Sequence, residues 1–122
     1  MPQSCSRPGL ATPASTTRDY IIDSGASVNL IARKLLSEAE WSKRKRLAVP
    51  LVLRTANSKV IATHTTEVYI KDVDMSMKFY ILEDTPSVVS LGVLCKIYGF
   101  ALFWKGNSPP ILITPKLSLI HI

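Results

Sequence analysis

The chain has 122 residues, 47% hydrophobic and 20% charged, enough for one globular domain with a modest core and too apolar for a disordered segment. Its net charge of +6 is concentrated: residues 33–46 hold six basic and two acidic side chains, a local +4. No apolar run approaches the ~20 residues that span a bilayer, and no signal-peptide pattern is present at the N-terminus. The two cysteines, Cys5 and Cys95, have no paired Cys/His spacing, so neither a metal site nor a cofactor is expected, and the expected location is intracellular and cytoplasmic.

Residues 1–18 are rich in Ser, Thr, Pro and Ala and read as a flexible tail or linker, with order expected from Asp19. Tyr20-Ile21-Ile22 predicts a short buried strand that delivers Asp23 into Ser24-Gly25-Ala26. Asp-Ser-Gly is a common turn, because Asp and Ser bond nearby backbone and Gly relaxes the backbone. An acid at the end of a buried strand nevertheless needs a partner, a hydrogen-bond cradle or a chemical role.

Beyond the turn, Ala32 to Leu36 predicts a short helix, and Ser37 with Glu40 three residues on predicts a capped second turn. Trp41 is expected to pack onto the body. Lys43-Arg44-Lys45-Arg46 reads as a solvated loop rather than a nucleic-acid site, since no aromatic-interleaved basic platform accompanies it in the sequence.

From Pro50 the period becomes that of strands: Leu51 to Thr55, Val60 to Thr63, Thr66 to Lys71 and Met77 to Leu82, with turns at Ala56–Lys59 and Asp72–Asp74. His64 falls in the connection between two of these strands. Ser87 to Gly92 predicts another strand, Val93 to Tyr98 one or two helical turns closed by Gly99, and Phe100–Trp104 and Ile111–Ile113 the last strands. Cys95 is expected as a small core residue. Many short, evenly spaced strands predict an all-β domain, closed or sandwich-like, with one or two short helices.

A strand feeding Asp23-Ser24-Gly25-Ala26-Ser27, a hairpin carrying Ala56-Asn57, and Val88-Val89-Ser90-Leu91-Gly92 opening a short helix before Gly99-Phe100 occur in this order. Together they resemble the retropepsins, the aspartic proteases of retroviruses and LTR retrotransposons, and most of all the Copia-type proteases. The resemblance covers residues 19–115. It implies a small closed β-barrel, one lobe per chain, and an aspartic endopeptidase that cleaves its own polyprotein.

Only one Asp-Ser-Gly is present, so the resemblance implies a homodimer in which two Asp23 carboxylates meet on a two-fold axis. Such a pair shares one proton. One Asp23 acts as general base on water and the other hydrogen-bonds the peptide carbonyl. Ser24 is expected to lock the two loops, Gly25 to let backbone amides approach the carboxylates, and Ala26 to leave room for substrate. The hairpin Thr55-Ala56-Asn57-Ser58-Lys59 corresponds to the substrate-covering flap. Leu91 and Gly92 are expected to pack behind the active-site loop, Gly92 by close approach.

Two features depart from the family. The flap tip has Asn57-Ser58 where glycine is usual, and residues 116–122 end in Leu-Ser-Leu-Ile-His-Ile, which looks like a translated non-native tail. They leave a second reading open, a retropepsin-fold remnant or peptide-binding module without activity. The partners expected are a second copy of the chain and a polypeptide substrate, with no membrane and no nucleic acid.

Overall fold

Two long strands and the short ones around them carry the fold. The computed structural model describes residues 18–54 and 58–121. In chain order these form β1 (Ile21–Asp23), β2 (Leu30–Ala32), a 3-10 turn at Arg33–Leu35, α1 (Glu38–Ser42), β3 (Lys45–Arg54) and β4 (Lys59–Ile70). A second 3-10 turn (Lys71–Val73), β5 (Met75–Leu82), β6 (Val88–Ser90), α2 (Leu91–Lys96), β7 (Ala101–Phe103), β8 (Ile111–Ile113) and β9 (Leu119–His121) follow. The described residues are mostly β with two short α-helices. Its large sheet runs β1-β6-β2-β5-β4-β3 and a separate sheet runs β7-β8-β9.

The expected closed barrel is not what forms. β1 and β3 are opposite edges of the large sheet, and the small sheet is not laddered to it. β1 stops after three residues at its turn. β3 contains Pro50, which cannot donate to a ladder, and its register slips between Arg46 and Leu51. Neither edge offers the continuous pairing that closure requires.

Two further expectations are corrected. Residues 60–63 and 66–70 belong to one strand, β4, with Lys71 already in the 3-10 turn, so His64 lies within a strand rather than in a connection. β4 changes partner instead of turning: Thr65 pairs with Lys45 of β3 and with Tyr80 of β5. Three threonines hold this stretch extended, with no Gly or Pro to break it. The basic run is not all loop, since Lys45 and Arg46 open β3 opposite Thr65 and His64.

The core lies between the two sheets and α2. Val68, Ile70, Met77, Phe79 and Ile81 of the long strands meet Ile31, Val89, Leu94, Phe100 and Leu112. Ile120 of β9 packs against this cluster, so the last strand contributes to the same core. Leu94, not Cys95, is the buried residue of α2; Cys95 is half-buried. Gly99, at φ 76°, reverses the chain after α2 so that the Phe100 N–H donates to the Leu94 carbonyl at 3.0 Å.

α1 forms as its sequence predicts. Ser37 Oγ accepts from the Glu40 N–H at 3.1 Å and a Glu40 carboxylate oxygen accepts from the Ser37 N–H at 2.9 Å, a reciprocal capping box. The same carboxylate takes both Arg18 guanidinium donors, at 2.6 and 2.7 Å. Arg18 also donates to the Leu35 carbonyl. This buried fork fastens the approach to β1 onto α1, while Thr66 Oγ1 donates to the Glu40 carbonyl and docks α1 on β4.

Candidate active site

β1 pairs in parallel with β6, with Asp23 opposite Ser90. After Asp23 the chain turns at once: the Ala26 N–H donates to the Asp23 carbonyl at 3.4 Å. Inside this turn the Gly25 N–H donates to Asp23 Oδ1 at 2.8 Å. A Cβ on Gly25 would stand 3.3 Å from that oxygen, tighter than ordinary packing, so glycine lets the amide reach the carboxylate. The expected cradle is therefore present in its first part.

The expected burial of the strand is not. Ile21 and Asp23 are exposed and Ile22 is half-buried, because β1 is an edge strand with one flank unpaired. Ser24 and Gly25 are exposed as well, and Ala26 is half-buried. The loop presents an open carboxylate at the rim of the sheet.

The loop is held from behind by two residues that the sequence reading did not single out. Ser90, fully buried, donates from Oγ to the Ala26 carbonyl at 2.7 Å and accepts from the Val93 N–H at 3.2 Å. One hydroxyl thus ties down the active-site turn and caps α2. Asn29, 2% exposed, accepts from the Ser90 N–H at 2.8 Å and donates from Nδ2 to the Lys78 carbonyl at 3.2 Å. Its amide bridges β6 and β5, and its own carbonyl accepts from the Tyr80 N–H. The only sign of these roles in the sequence is a polar residue inside an apolar run, such as Ser90 between Val89 and Leu91.

Leu91 and Gly92 are near the loop in the chain but act differently from expectation. Leu91 is half-buried against the core, and Gly92 is exposed in the first turn of α2. A Cβ on Gly92 would lie 3.7 Å from Ser90 Oγ, an ordinary contact, so no close approach depends on it.

Of the expected flap, Thr55, Ala56 and Asn57 lie outside the described residues. The hairpin stem is described: Arg54 opposes Lys59, Leu53 opposes Val60 and Val52 opposes Ile61. Ser58 and Lys59 are exposed. Among the described residues no group of three or more His, Cys, Asp and Glu side chains is placed to hold a metal ion, and no helix is long and apolar enough to cross a membrane.

No protein-family model and no curated protein matches the chain.

Proposed function

We propose that the chain is one subunit of a retropepsin-like aspartic endopeptidase that acts as a homodimer on its own polyprotein. The observation that carries this reading is the exposed Asp23 carboxylate on an edge strand, held by the Gly25 amide in a turn that Ser90 and Asn29 brace. A hydrogen-bonded acid at an unpaired sheet edge is where two copies could bring two carboxylates together. The ordered resemblance of Asp23–Ser27, the hairpin and Val88–Gly92 to the retropepsins supports the same assignment.

The chemistry then follows from two Asp23 side chains sharing one proton. The ionised carboxylate takes a proton from water as the water oxygen bonds to the scissile carbonyl carbon. The protonated one gives its proton to the carbonyl oxygen, so a neutral gem-diol forms without a covalent enzyme intermediate. Collapse returns a proton to the amide nitrogen, breaks the C–N bond, and leaves a carboxylic acid and an amine. The Gly25 N–H, donating to Oδ1, orients the carboxylate within its turn.

The test is peptide cleavage at mildly acidic pH, about 5, measured over a dilution series with and without pepstatin. A rate that climbs faster than protein concentration, is blocked by pepstatin, and vanishes in Asp23→Asn is expected. Cleavage that survives Asp23→Asn would remove the mechanism. Absence of cleavage in a chain that sediments only as monomer would favour the inactive peptide-binding module.

A further inference from the structure

The basic run looks different once folded. Arg33 and Arg44 come from separate elements, yet both stack on Trp41, with guanidinium carbons 4.3 and 4.0 Å from its ring centroids. Arg44 is fixed further by a 2.9 Å bond from Nη1 to the Trp41 carbonyl. Lys43, Arg44, Lys45 and Arg46 are all exposed, and among the described residues none of them forms an ion pair. The acids of this region do little to offset them. Glu40 is buried and bound to Arg18; Glu38 is exposed on α1; Glu83 reaches Arg33 only at 3.8 Å, with both side chains largely in water. Trp41, two residues before the run in the sequence, is thus the aromatic partner that the fold shares between Arg33 and Arg44.

We propose that this corner, at the β3 edge of the large sheet, binds single-stranded nucleic acid. Arg33, Arg44, Lys45 and Arg46 contact the phosphates. Guanidinium planes held against an indole are preorganised as forks for phosphate oxygens and as stacking surfaces for bases. Beside them a cleft of about 140 Å³ opens among Arg33, Trp41, Thr63, His64 and Glu83. Its hydroxyl, imidazole and carboxylate offer both donors and acceptors to a base edge. The extended edge strand suits an extended backbone, whereas α1 and α2, of five and six residues, are too short to read a duplex groove. Positive charge alone also keeps an edge strand from pairing with other chains; the stacked arginines and the polar cleft are what that role does not require. Lys45 and Arg46 lie on the opposite edge of the sheet from Asp23 and the site uses no residue of the Asp23 turn, so it stands independently of the proteolytic reading.

Fluorescence anisotropy of the full chain with a labelled single-stranded RNA longer than one ~16-nucleotide site tests this across a salt series. Each phosphate contact contributes about 0.7 to the slope of log affinity on log salt. Replacing Lys43, Arg44, Lys45 and Arg46 together by Gln is expected to weaken binding tenfold or more and flatten the slope by about 2 to 3. Arg46→Gln alone, at an exposed position, gives a smaller change of the same sign should the quadruple variant fail to fold. Lys96→Gln with Lys105→Gln, elsewhere on the surface, leaves binding unchanged. No binding by the wild-type chain at low salt overturns the proposal, as does equal weakening by the Lys96/Lys105 control. Equally tight binding to the matching duplex would reject the single-strand assignment, and displacement of RNA by polyglutamate as readily as by unlabelled RNA would point to an acidic protein instead.

Discussion

Removing the Asn29 amide would leave the buried Ser90 N–H and the partly buried Lys78 carbonyl without their partner at once. An unsatisfied buried group costs about 1–3 kcal/mol, so Asn29→Ala is expected to destabilise the chain by about 2–4 kcal/mol, measured by urea unfolding. A loss below about 0.5 kcal/mol, the range of neutral surface changes, would show that the bridge does not brace the loop. Neither Asn29 nor Ser90 was legible beforehand, because they meet across 61 residues and no local spacing announces such a pair. Glu40 was legible, since the Ser37–Glu40 spacing is itself the capping signal. Burial pushes the Glu40 carboxyl up, but the Arg18 and Ser37 hydrogen bonds outweigh it and hold it below its ordinary value. The unfolded chain therefore takes up this proton first. Its contribution is fully present above the unfolded value and is lost as pH falls through the lower folded one. Glu40→Gln is expected to melt lower at neutral pH, and the gap to wild type should narrow on acidification. A constant gap down to about pH 3, below the ordinary carboxylate range, would mean that the charge of Glu40 contributes nothing.

At the scale of elements, periodicity located strands well and their junctions poorly. β8 falls where the sequence predicts it and β5 covers the predicted Met77–Leu82 but starts two residues earlier, because each is bounded by turn-forming residues. The sequence places a connection at residues 64–65, yet His64 pairs with Arg46 of β3, and Thr65 pairs with both Lys45 of β3 and Tyr80 of β5. Tertiary pairing outweighed local polarity there, and again at Lys45 and Arg46. The turn into β9 carries a different cost. Leu117 sits at φ 64° and is 81% exposed, so a left-handed backbone is imposed on a side chain that packs on little. The left-handed region disfavours a Cβ by about 1–2 kcal/mol. Leu117→Gly should recover part of this, about 0.5–1 kcal/mol after the entropy of glycine, seen as a higher melting temperature. A lower one would show that Leu117 holds the β8–β9 hairpin together by contacts in its own right. Ser87 offers a similar gain: its hydroxyl is buried without a hydrogen-bond partner among the described residues. Ser87→Ala should therefore be neutral or stabilising by about 1 kcal/mol.

For the molecule as a whole, the decisive surface is the free flank of β1. Alternation along a strand puts Ile21 and Asp23 on one face, and Ile21 is 55% exposed. This apolar side chain, two positions from the candidate catalytic acid on an unpaired edge, stands where the partner of the proposed dimer would cover it. Two copies arranged to bring their Asp23 carboxylates together would bring their Ile21 side chains near the same axis. Ile21→Lys would then set two cations against each other where two apolar groups had met, while in the separate chain it merely adds charge to an exposed position. The variant should keep the wild-type melting temperature at high dilution, where only monomer is present. It should lose the rise of melting temperature with protein concentration that a dimer confers by mass action, and its dimer dissociation constant by sedimentation should rise at least tenfold. Cleavage should fall with the dimer and return at high protein concentration, because Asp23 itself is untouched. If Ile21→Lys dimerises like wild type, the two-fold axis does not pass beside β1, and the shared-carboxylate mechanism fails with it, since no other edge carries Asp23.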